Sequence, residues 1–513
     1  MKKYILLITV GLITSCSETK FSADKTLGFA DFSAQQIIPL TATCNANCVE
    51  HKKEFRYLAY VGEKIYCYWN EKQIEFKIDF KQKASDLENT ITSIQSETEY
   101  FLLLTQWAAL FHDGHVNAML RDDLSNIELY DLPVRFEILA PATDHETLIV
   151  SKVNAALTSL KVGMIVDKIQ GQNWKDLSSQ AEKFVSGSTS QMRRRSAGQS
   201  IFRLLLETEG PLPVKIEGQY NNKPAFETLS RSLKLYDKSV LAQTESTGVD
   251  LIQTAILENN IGYLRIDGFS GSQMRSLLTQ AMDRLAQTRG LIIDVRKNGG
   301  GDLSGDVVLS RLISSVTQRF SQRTNFSDML QVLRPSILFD YEYTSGLFSD
   351  VKIRTVLPTG TQYKKPVAVI SSGYCFSACD TFVSAIKQNK LATVYGESTG
   401  GGTGNPQVIE LPASGHSFRY SVAQGFIANT NTLLEGVGTE PDIAIEPTAE
   451  ERMLGKDLQL EKIVKQFTTT LNLPIISDIT VLPNQLINVQ SKEINAPFEV
   501  ELQKDIYLSN KEN

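Results

Sequence analysis

The strongest constraint in this sequence is the alternation of strand-like and helix-like patterns across residues 256–395. Three short apolar runs have the character of buried strands, at residues 261–266, 291–295 and 367–370. Between the first two runs, apolar side chains recur from Met274 to Leu285 with the spacing of an amphipathic helix. Such alternation predicts parallel strands joined by right-handed helical crossovers, so we expect an α/β domain here.

Two segments are expected to meet at the carboxyl ends of these strands, where ligand sites of parallel sheets lie. They are the glycine-rich residues 298–301 and the segment 371–377, which a predicted helix over 378–388 follows. Ser377 with Asp380 before an apolar helical run is a capping signature. A serine at a helix N-terminus could equally be a nucleophile, because free backbone N–H groups there stabilise an oxyanion. The two interpretations are compatible, and both remain open.

The second glycine-rich segment, residues 396–403, nearly matches a phosphate-binding loop. Gly402 stands where such a loop needs its lysine, so nothing would reach the β- and γ-phosphates, and we exclude nucleotide binding. Glycines 299–301 could simply form a tight strand-to-helix turn. Their other use is to let a substrate backbone approach exposed N–H groups.

Outside the alternating region the pattern changes twice. Residues 64–80 show strand-like alternation, residues 91–111 have helical spacing, and short β-runs punctuated by Gly163 and Gly171 then follow. The chain is therefore divided into a partly helical N-terminal segment, a β-rich module, an α/β domain and a tail, at residues 27–128, 129–235, 250–471 and 472–513.

The first residues predict export. Lys2 and Lys3 precede an apolar run over 4–12 that is too short to span a bilayer. Small residues directly before Cys16 resemble the lipobox of bacterial lipoproteins, with an ordinary signal peptide as the alternative. We predict a lipoprotein signal peptide over 1–15, lipid attachment at Cys16, and a tether over 16–26. The protein is then held at a bacterial membrane, on an outer-membrane, periplasmic or cell-surface face.

Export permits disulfides, which decides how the other cysteines are interpreted. Cys44, Cys48 and Cys67 could provide three zinc ligands, but no nearby histidine completes a standard set, so a disulfide is favoured. The odd number of cysteines after Cys16 leaves at least one free thiol. The sequence alone does not give the pairing.

Four motifs in the α/β domain resemble, in order and spacing, the C-terminal processing peptidases and the tricorn core. They are LIIDVRKNGGG at 291–301, SACD at 377–380, GESTGGG at 396–402 and EGVGTEPDI at 435–443. This family of serine peptidases has a crotonase-like α/β fold with a PDZ-like domain. The resemblance implies that Ser377 is the nucleophile, that the β-rich module is PDZ-like, and that a polypeptide substrate binds through its C-terminus. No metal or cofactor is implied.

The resemblance also implies which residue is the base. The processing-peptidase branch uses a lysine after the serine, and Gly402 occupies its position here. The tricorn branch uses a histidine from an N-terminal segment, and of the five histidines His115, in FHDGHV at 111–116, matches that signature. Gly114 replaces the family's orienting serine, so Asp113 or a backbone carbonyl must orient the imidazole. A metal pair of His112 and His115 is a further alternative, although no third ligand is evident.

Further roles follow from the same resemblance. Glu435 holds a hydrogen-bond network around the nucleophile, and the N–H groups of Gly300 or Gly301 and of Ala378 form the oxyanion hole. Cys375 and Cys379 flank Ser377, and we hypothesise that a disulfide between them braces the turn, with two buried thiols as the alternative.

Composition narrows the functional classes. There are 52 basic and 58 acidic residues, scattered without a basic patch, which argues against a nucleic-acid partner. The expected function is that of an exported serine endopeptidase. The alternatives are a non-catalytic peptide- or ligand-binding lipoprotein on the same scaffold, and a crotonase-like acyl-transfer enzyme, which no cofactor motif supports.

Overall fold

The chain folds as a mixed α/β protein with several sheets, seen here in a computed structural model. The structure describes residues 28–36, 38, 41, 44–120, 128–156, 158–198, 213–230, 232–235, 251–336, 347–472 and 487–488. The predicted signal peptide, Cys16 and most of the tail lie outside the described residues. Within these ranges, no helix has the length and apolar character that crossing a membrane requires.

The N-terminal segment is helical before it ends in a short strand. Its elements are α1 (Phe29–Gln35), α2 (Ala46–Ile65), α3 (Trp69–Phe76), α4 (Phe80–Thr90), α5 (Glu97–Ala109) and β1 (Asn117–Met119). The strand-like alternation predicted over 64–80 is therefore wrong. Asn45 caps α2 and Asp79 caps α4 through side-chain hydrogen bonds to the first turn, so capping and the burial of aromatic side chains override the local period.

The β-rich module follows. Its elements are β2 (Glu128–Asp131), β3 (Val134–Leu139), β4 (Thr147–Val153), β5 (Ile165–Ile169), β6 (Gln172–Asn173), α6 (Trp174–Ala181), β7 (Val214–Tyr220), β8 (Lys223–Leu229) and β9 (Ser232–Leu235). The strands β3-β4-β5-β7-β8 form one antiparallel sheet in that order, and β6 pairs with β5. One apolar cluster, including Trp174 of α6, fills the space beneath this sheet.

The remaining elements belong mainly to the α/β domain. The strands are β10 (Ile252–Leu257), β11 (Ile261–Ile266), β12 (Gly290–Asp294), β13 (Thr317–Thr324), β14 (Lys352–Val356), β15 (Val367–Ser371), β16 (Thr393–Gly396), β17 (Gln407–Glu410), β18 (Ser417–Tyr420), β19 (Ala423–Phe426), β20 (Ile443–Ala444) and β21 (Ile487–Asn488). The helices are α7 (Met274–Leu285), α8 (Asp306–Leu312), α9 (Asp328–Leu333), α10 (Ala378–Gln388), α11 (Ala449–Leu454) and α12 (Leu458–Thr470).

The central sheet has the order β20-β16-β15-β12-β11-β10-β21. The five strands from β20 to β11 are parallel, whereas β10 and β21 are antiparallel to their neighbours. Alternate side chains of β12 enter different layers: Leu291 and Ile293 pack with α7, α8 and α10, and Ile292 packs with α12. Because both faces are covered, the strand sequence is apolar without alternation.

The N-terminal segment is joined to the α/β domain through a small sheet of order β1-β18-β17. Trp107 of α5 donates its indole N–H to the hydroxyl of Tyr420 at 2.8 Å, and that hydroxyl donates to the carbonyl of Leu58 at 3.1 Å. All three residues are buried in one aromatic cluster. The loop between α5 and β1, which carries His115, is therefore fixed against the α/β domain.

Candidate active site

Ser377 lies between β15 and α10, where the chain leaves the central sheet and starts a helix. Its φ of 59° and ψ of −118° belong to a region that glycine adopts freely and L-residues avoid. Its side chain makes no hydrogen bond to the first turn of α10, so the capping interpretation is wrong. The backbone at Ser377 is therefore strained, and its side chain is half-buried.

The turn around Ser377 is held from two sides. The N–H of Ser377 donates to the carbonyl of Gly402 at 3.1 Å, and the N–H of Phe376 donates to the carbonyl of Asn298 at 3.2 Å. Cys375 and Cys379 are joined by a disulfide across the same turn. The two glycine-rich loops and this disulfide together hold the backbone at Ser377.

Gly300 approaches Ser377 more closely than any residue with a side chain could. Its φ is 107°, and a Cβ there would lie 2.8 Å from the Cβ of Ser377 and 2.7 Å from the carbonyl oxygen of Phe376. The N–H of Gly300 donates to Oδ1 of Asn298 at 2.9 Å, so this group is committed within the loop. Of the other predicted oxyanion donors, Ala378 begins α10, where N–H groups lack intrahelical partners, and Gly301 lies against the backbone of Phe269.

The ring of His115 packs against Phe376, the residue directly before Ser377 in the chain. The ring centroids are 4.5 Å apart. Burial, with a smaller contribution from Arg419, lowers the pKa of His115 well below its usual value, so the imidazole is neutral at neutral pH. The backbone N–H of His115 donates to Oδ1 of Asp113 at 2.7 Å.

The sequence left open which group orients the imidazole of His115, and Asp113 approaches the ring without forming a hydrogen bond to it. Nδ1 of His115 is buried 3.9 Å from Oδ1 of Asp113, beyond hydrogen-bonding distance, and has no other partner among the described residues. Position 114 has no room for a side chain, because a Cβ there would lie 2.6 Å from Cζ of Phe376. The amide of Gly114 instead receives support from the β-rich module, donating to Oγ of Ser188 at 3.0 Å.

The absence of a lysine at position 402 also has a structural counterpart. A Cβ at Gly402 would lie 2.1 Å from Cε2 of Phe376 and 2.8 Å from Oγ of Ser188. The ring of Phe376 thus fills the space that a side chain at 402 would enter.

Glu435 is buried next to the His115 loop, and its partner is a residue that sequence reasoning missed. Nζ of Lys72, on α3, lies 3.3 Å from Oε1 of Glu435 and donates to the carbonyl of His112 at 2.9 Å. Burial and the nearby Asp113 raise the pKa of Glu435, whereas Lys72 opposes this shift. Lys72 fell in the segment predicted as strand-like, and a lysine on a helix ordinarily indicates a solvated face.

Asp380 is a second missed residue, predicted only as part of a cap and a motif. Oδ2 accepts from the N–H groups of Gly401 at 2.7 Å and Gly402 at 3.0 Å, and Oδ1 accepts from the hydroxyl of Thr399. Burial raises its pKa to about 7, although these hydrogen bonds favour the charged form. Asp380 therefore holds the loop whose Gly402 carbonyl binds the N–H of Ser377.

A buried ion pair connects the β-rich module to the same loops. Arg195 donates to Oε1 of Glu397 at 2.6 Å, with both side chains at most 5% exposed, and its guanidinium lies over Tyr374 at 4.7 Å. These contacts join the module to the segments on either side of the turn at Ser377.

The structure also answers two questions that the sequence left open, namely how the remaining cysteines pair and whether cysteine or histidine side chains form a metal site. Cys44 and Cys48 form a disulfide, and Cys67 is a buried free thiol. Among the described residues, no cluster of three or more His, Cys, Asp or Glu side chains could hold a metal ion.

Part of this chain is similar in sequence to known peptidases. Residues 260–445 match the profile of Peptidase family S41. A carboxy-terminal-processing protease of Bartonella bacilliformis is 23% identical over 209 residues, covering 40% of this chain. The chain spans 43% of the length of that curated relative.

Among solved structures, mature CPAF complexed with lactacystin is similar, with a TM-score of 0.64 and 15% identity over 83% of this chain and all of that chain. The tricorn protease is 15% identical, with a TM-score of 0.40, over 83% of this chain and 37% of that chain. The resemblance predicted from the four motifs is confirmed over residues 260–445, which match the Peptidase family S41 profile, and these findings support a serine-type peptidase.

Proposed function

We propose that this chain, whose residues 260–445 match the profile of Peptidase family S41, is an exported serine endopeptidase with Ser377 as nucleophile and His115 as general base. The observation that carries the proposal is the strained backbone of Ser377, together with a buried, neutral imidazole that packs against the preceding residue, Phe376. A strained conformation persists only where the surroundings enforce it, and such residues cluster at functional sites.

In the proposed reaction, Oγ of Ser377 attacks the carbonyl carbon of a peptide bond while His115 accepts the hydroxyl proton. The C–N bond then breaks as His115 returns that proton to the leaving amine. Water, deprotonated by His115, attacks the acyl ester and releases Ser377 with its proton. The N–H groups of Gly301 and Ala378 stabilise the oxyanion, and Asp113, whose Oδ1 lies 3.9 Å from Nδ1 of His115, is the carboxyl group nearest to the transient imidazolium.

A fluorophosphonate probe tests this assignment, because it phosphonylates only an activated serine. We expect labelling of the parent protein and its loss in Ser377→Ala and His115→Ala. Ser384→Ala, on the same helix, and His145→Ala, at an exposed ion pair far along the chain, are the matched controls and should label normally. Labelling of Ser377→Ala at the parental rate would refute the nucleophile. A folded parent that never labels would favour the non-catalytic binding protein.

We further propose that the β-rich module is a PDZ-like domain that receives a peptide C-terminus. The support is an antiparallel sheet in which β3 stands at one end of the strand order, since PDZ domains capture peptides by adding a strand at such an edge. Binding of a peptide with a free carboxylate, compared with its C-terminal amide, measures this role. Equal affinity for the two peptides would count against it.

Export and lipid anchoring at Cys16 belong to the same proposal. Two disulfides support it, because structural disulfides persist in oxidising compartments outside the cytoplasm. Metabolic labelling with a fatty acid should mark the parent protein and not Cys16→Ala. Equal labelling of both would overturn the lipid site.

A further inference from the structure

Lys72 is buried without being part of any motif. Its side chain is 3% exposed, and the side chain of Glu435 beside it is 2% exposed. A buried carboxylate without a partner is strongly unfavourable, because the lost hydration is not replaced. Lys72 lies 3.3 Å from Glu435 and supplies a positive charge that opposes the upward shift of the carboxyl pKa inside the protein.

The same ammonium group has a second contact that bears on the catalytic loop. It donates to the carbonyl of His112, whose φ of 46° marks the turn three residues before His115. One helical turn further along α3, Phe76 stacks on the ring of His112, with centroids 3.9 Å apart. Helix α3 thus holds His112 at its backbone through Lys72 and at its side chain through Phe76.

These contacts converge on one group. Lys72 touches Glu435 from the last motif and the loop that carries His115, two parts of the site far apart in sequence. Asp113, which follows His112, accepts the backbone N–H of His115. A displacement of His112 is therefore transmitted directly to the base.

We propose that Lys72 is a positioning residue of the active site, which fixes Glu435 and the His115 loop relative to each other through one buried ammonium group. The inference rests on the proposed function, and it assigns to the helical N-terminal segment a role in acylation beyond carrying His115.

The test is the fluorophosphonate inactivation of Ser377, separated into the maximal rate and the probe concentration at half-saturation. Lys72→Met should lower the maximal rate about 100-fold, as expected for a misplaced catalytic group, with little change in half-saturation. Lys72→Arg should recover part of the rate, because it keeps the charge. Arg56→Met removes the Arg56–Glu88 ion pair in the same helical segment and should label like the parent.

If Lys72→Met leaves Glu435 uncompensated and prevents folding, the double variant Lys72→Met/Glu435→Gln removes both charges. It should fold and label about 10-fold more slowly than Glu435→Gln alone, because the His112 contact is lost as well. Equal rates for these two variants, or parental labelling of folded Lys72→Met, would overturn the proposal. Absence of Ser377-dependent labelling in the parent would instead overturn the proposed function, and this inference with it.

Discussion

The backbone of Ser377 gives a prediction that does not depend on catalysis. With φ at 59° and ψ at −118°, the residue occupies a conformation that costs an L-residue about 1–3 kcal/mol and glycine almost nothing. Ser377→Gly should therefore relieve strain that Ser377→Ala retains. Both substitutions remove the hydroxyl, so their difference isolates the backbone.

The magnitude follows from two opposing effects. Relief of strain favours the glycine variant by about 1–3 kcal/mol, and the greater freedom of glycine in the unfolded chain opposes it by about 0.4–1 kcal/mol. The free energy of unfolding of Ser377→Gly should exceed that of Ser377→Ala by about 1 kcal/mol. For a domain of this size that difference raises Tm by roughly 2–4 °C.

Thermal unfolding of the two variants, under identical conditions, measures this difference. Ser384 provides the matched control, because it is buried in the regular part of the same helix. There, Ser384→Gly should be less stable than Ser384→Ala by about 1 kcal/mol, since glycine disfavours helix interiors. If Ser377→Gly is no more stable than Ser377→Ala, the backbone at the nucleophile is not strained and the reasoning fails.

Three further predictions concern the surroundings of the nucleophile. Labelling requires a neutral imidazole, and burial lowers the pKa of His115 below its usual value of 6.5. As the pH decreases, the labelling rate should therefore fall only below pH 6.5. A fall centred above pH 6.5 would contradict this prediction. Gly300→Ala should abolish labelling of Ser377 and cost about 1–3 kcal/mol of unfolding free energy, because its φ is 107° and its Cβ would meet backbone; parental labelling would contradict this. Arg195→Met leaves Glu397 buried and unpaired and should cost about 3–5 kcal/mol in urea unfolding, whereas restoring stability by adding Glu397→Gln would identify the stranded charge as the cause.

The central sheet was predictable because its signals are local. Strand β11 and helices α7 and α10 have the bounds that the sequence predicted, since a strand covered on both faces must be apolar throughout and a helix covered on one face must be periodic. The 64–80 segment was mispredicted because its structure does not depend on local signals. Its side chains face an aromatic core contributed by distant parts of the chain, so the local alternation carries no strand information.

Lys72 and Asp380 were missed because their roles depend on partners that sequence patterns do not connect. Lys72 is buried against Glu435, and only the fold brings α3 next to the loop after β19. Asp380 was visible as a motif residue, but its task is to bind the amides of another loop. A charged residue inside an aromatic-rich helical stretch, as at Lys72, is the one local signal that could have drawn attention to either.

Two departures from the family pattern, which the sequence presented as separate, have a common cause in the ring of Phe376. Side chains at Gly114 and Gly402 would lie 2.6 Å and 2.1 Å from atoms of that ring, and one at Gly400 would lie 2.9 Å away. The ring occupies the space of the missing lysine and also packs against His115. Because interiors are close-packed, one large side chain next to the nucleophile requires that these neighbours have none. The absence of a side chain at position 114 and at position 402 therefore has one steric cause, which is the ring of Phe376 beside Ser377.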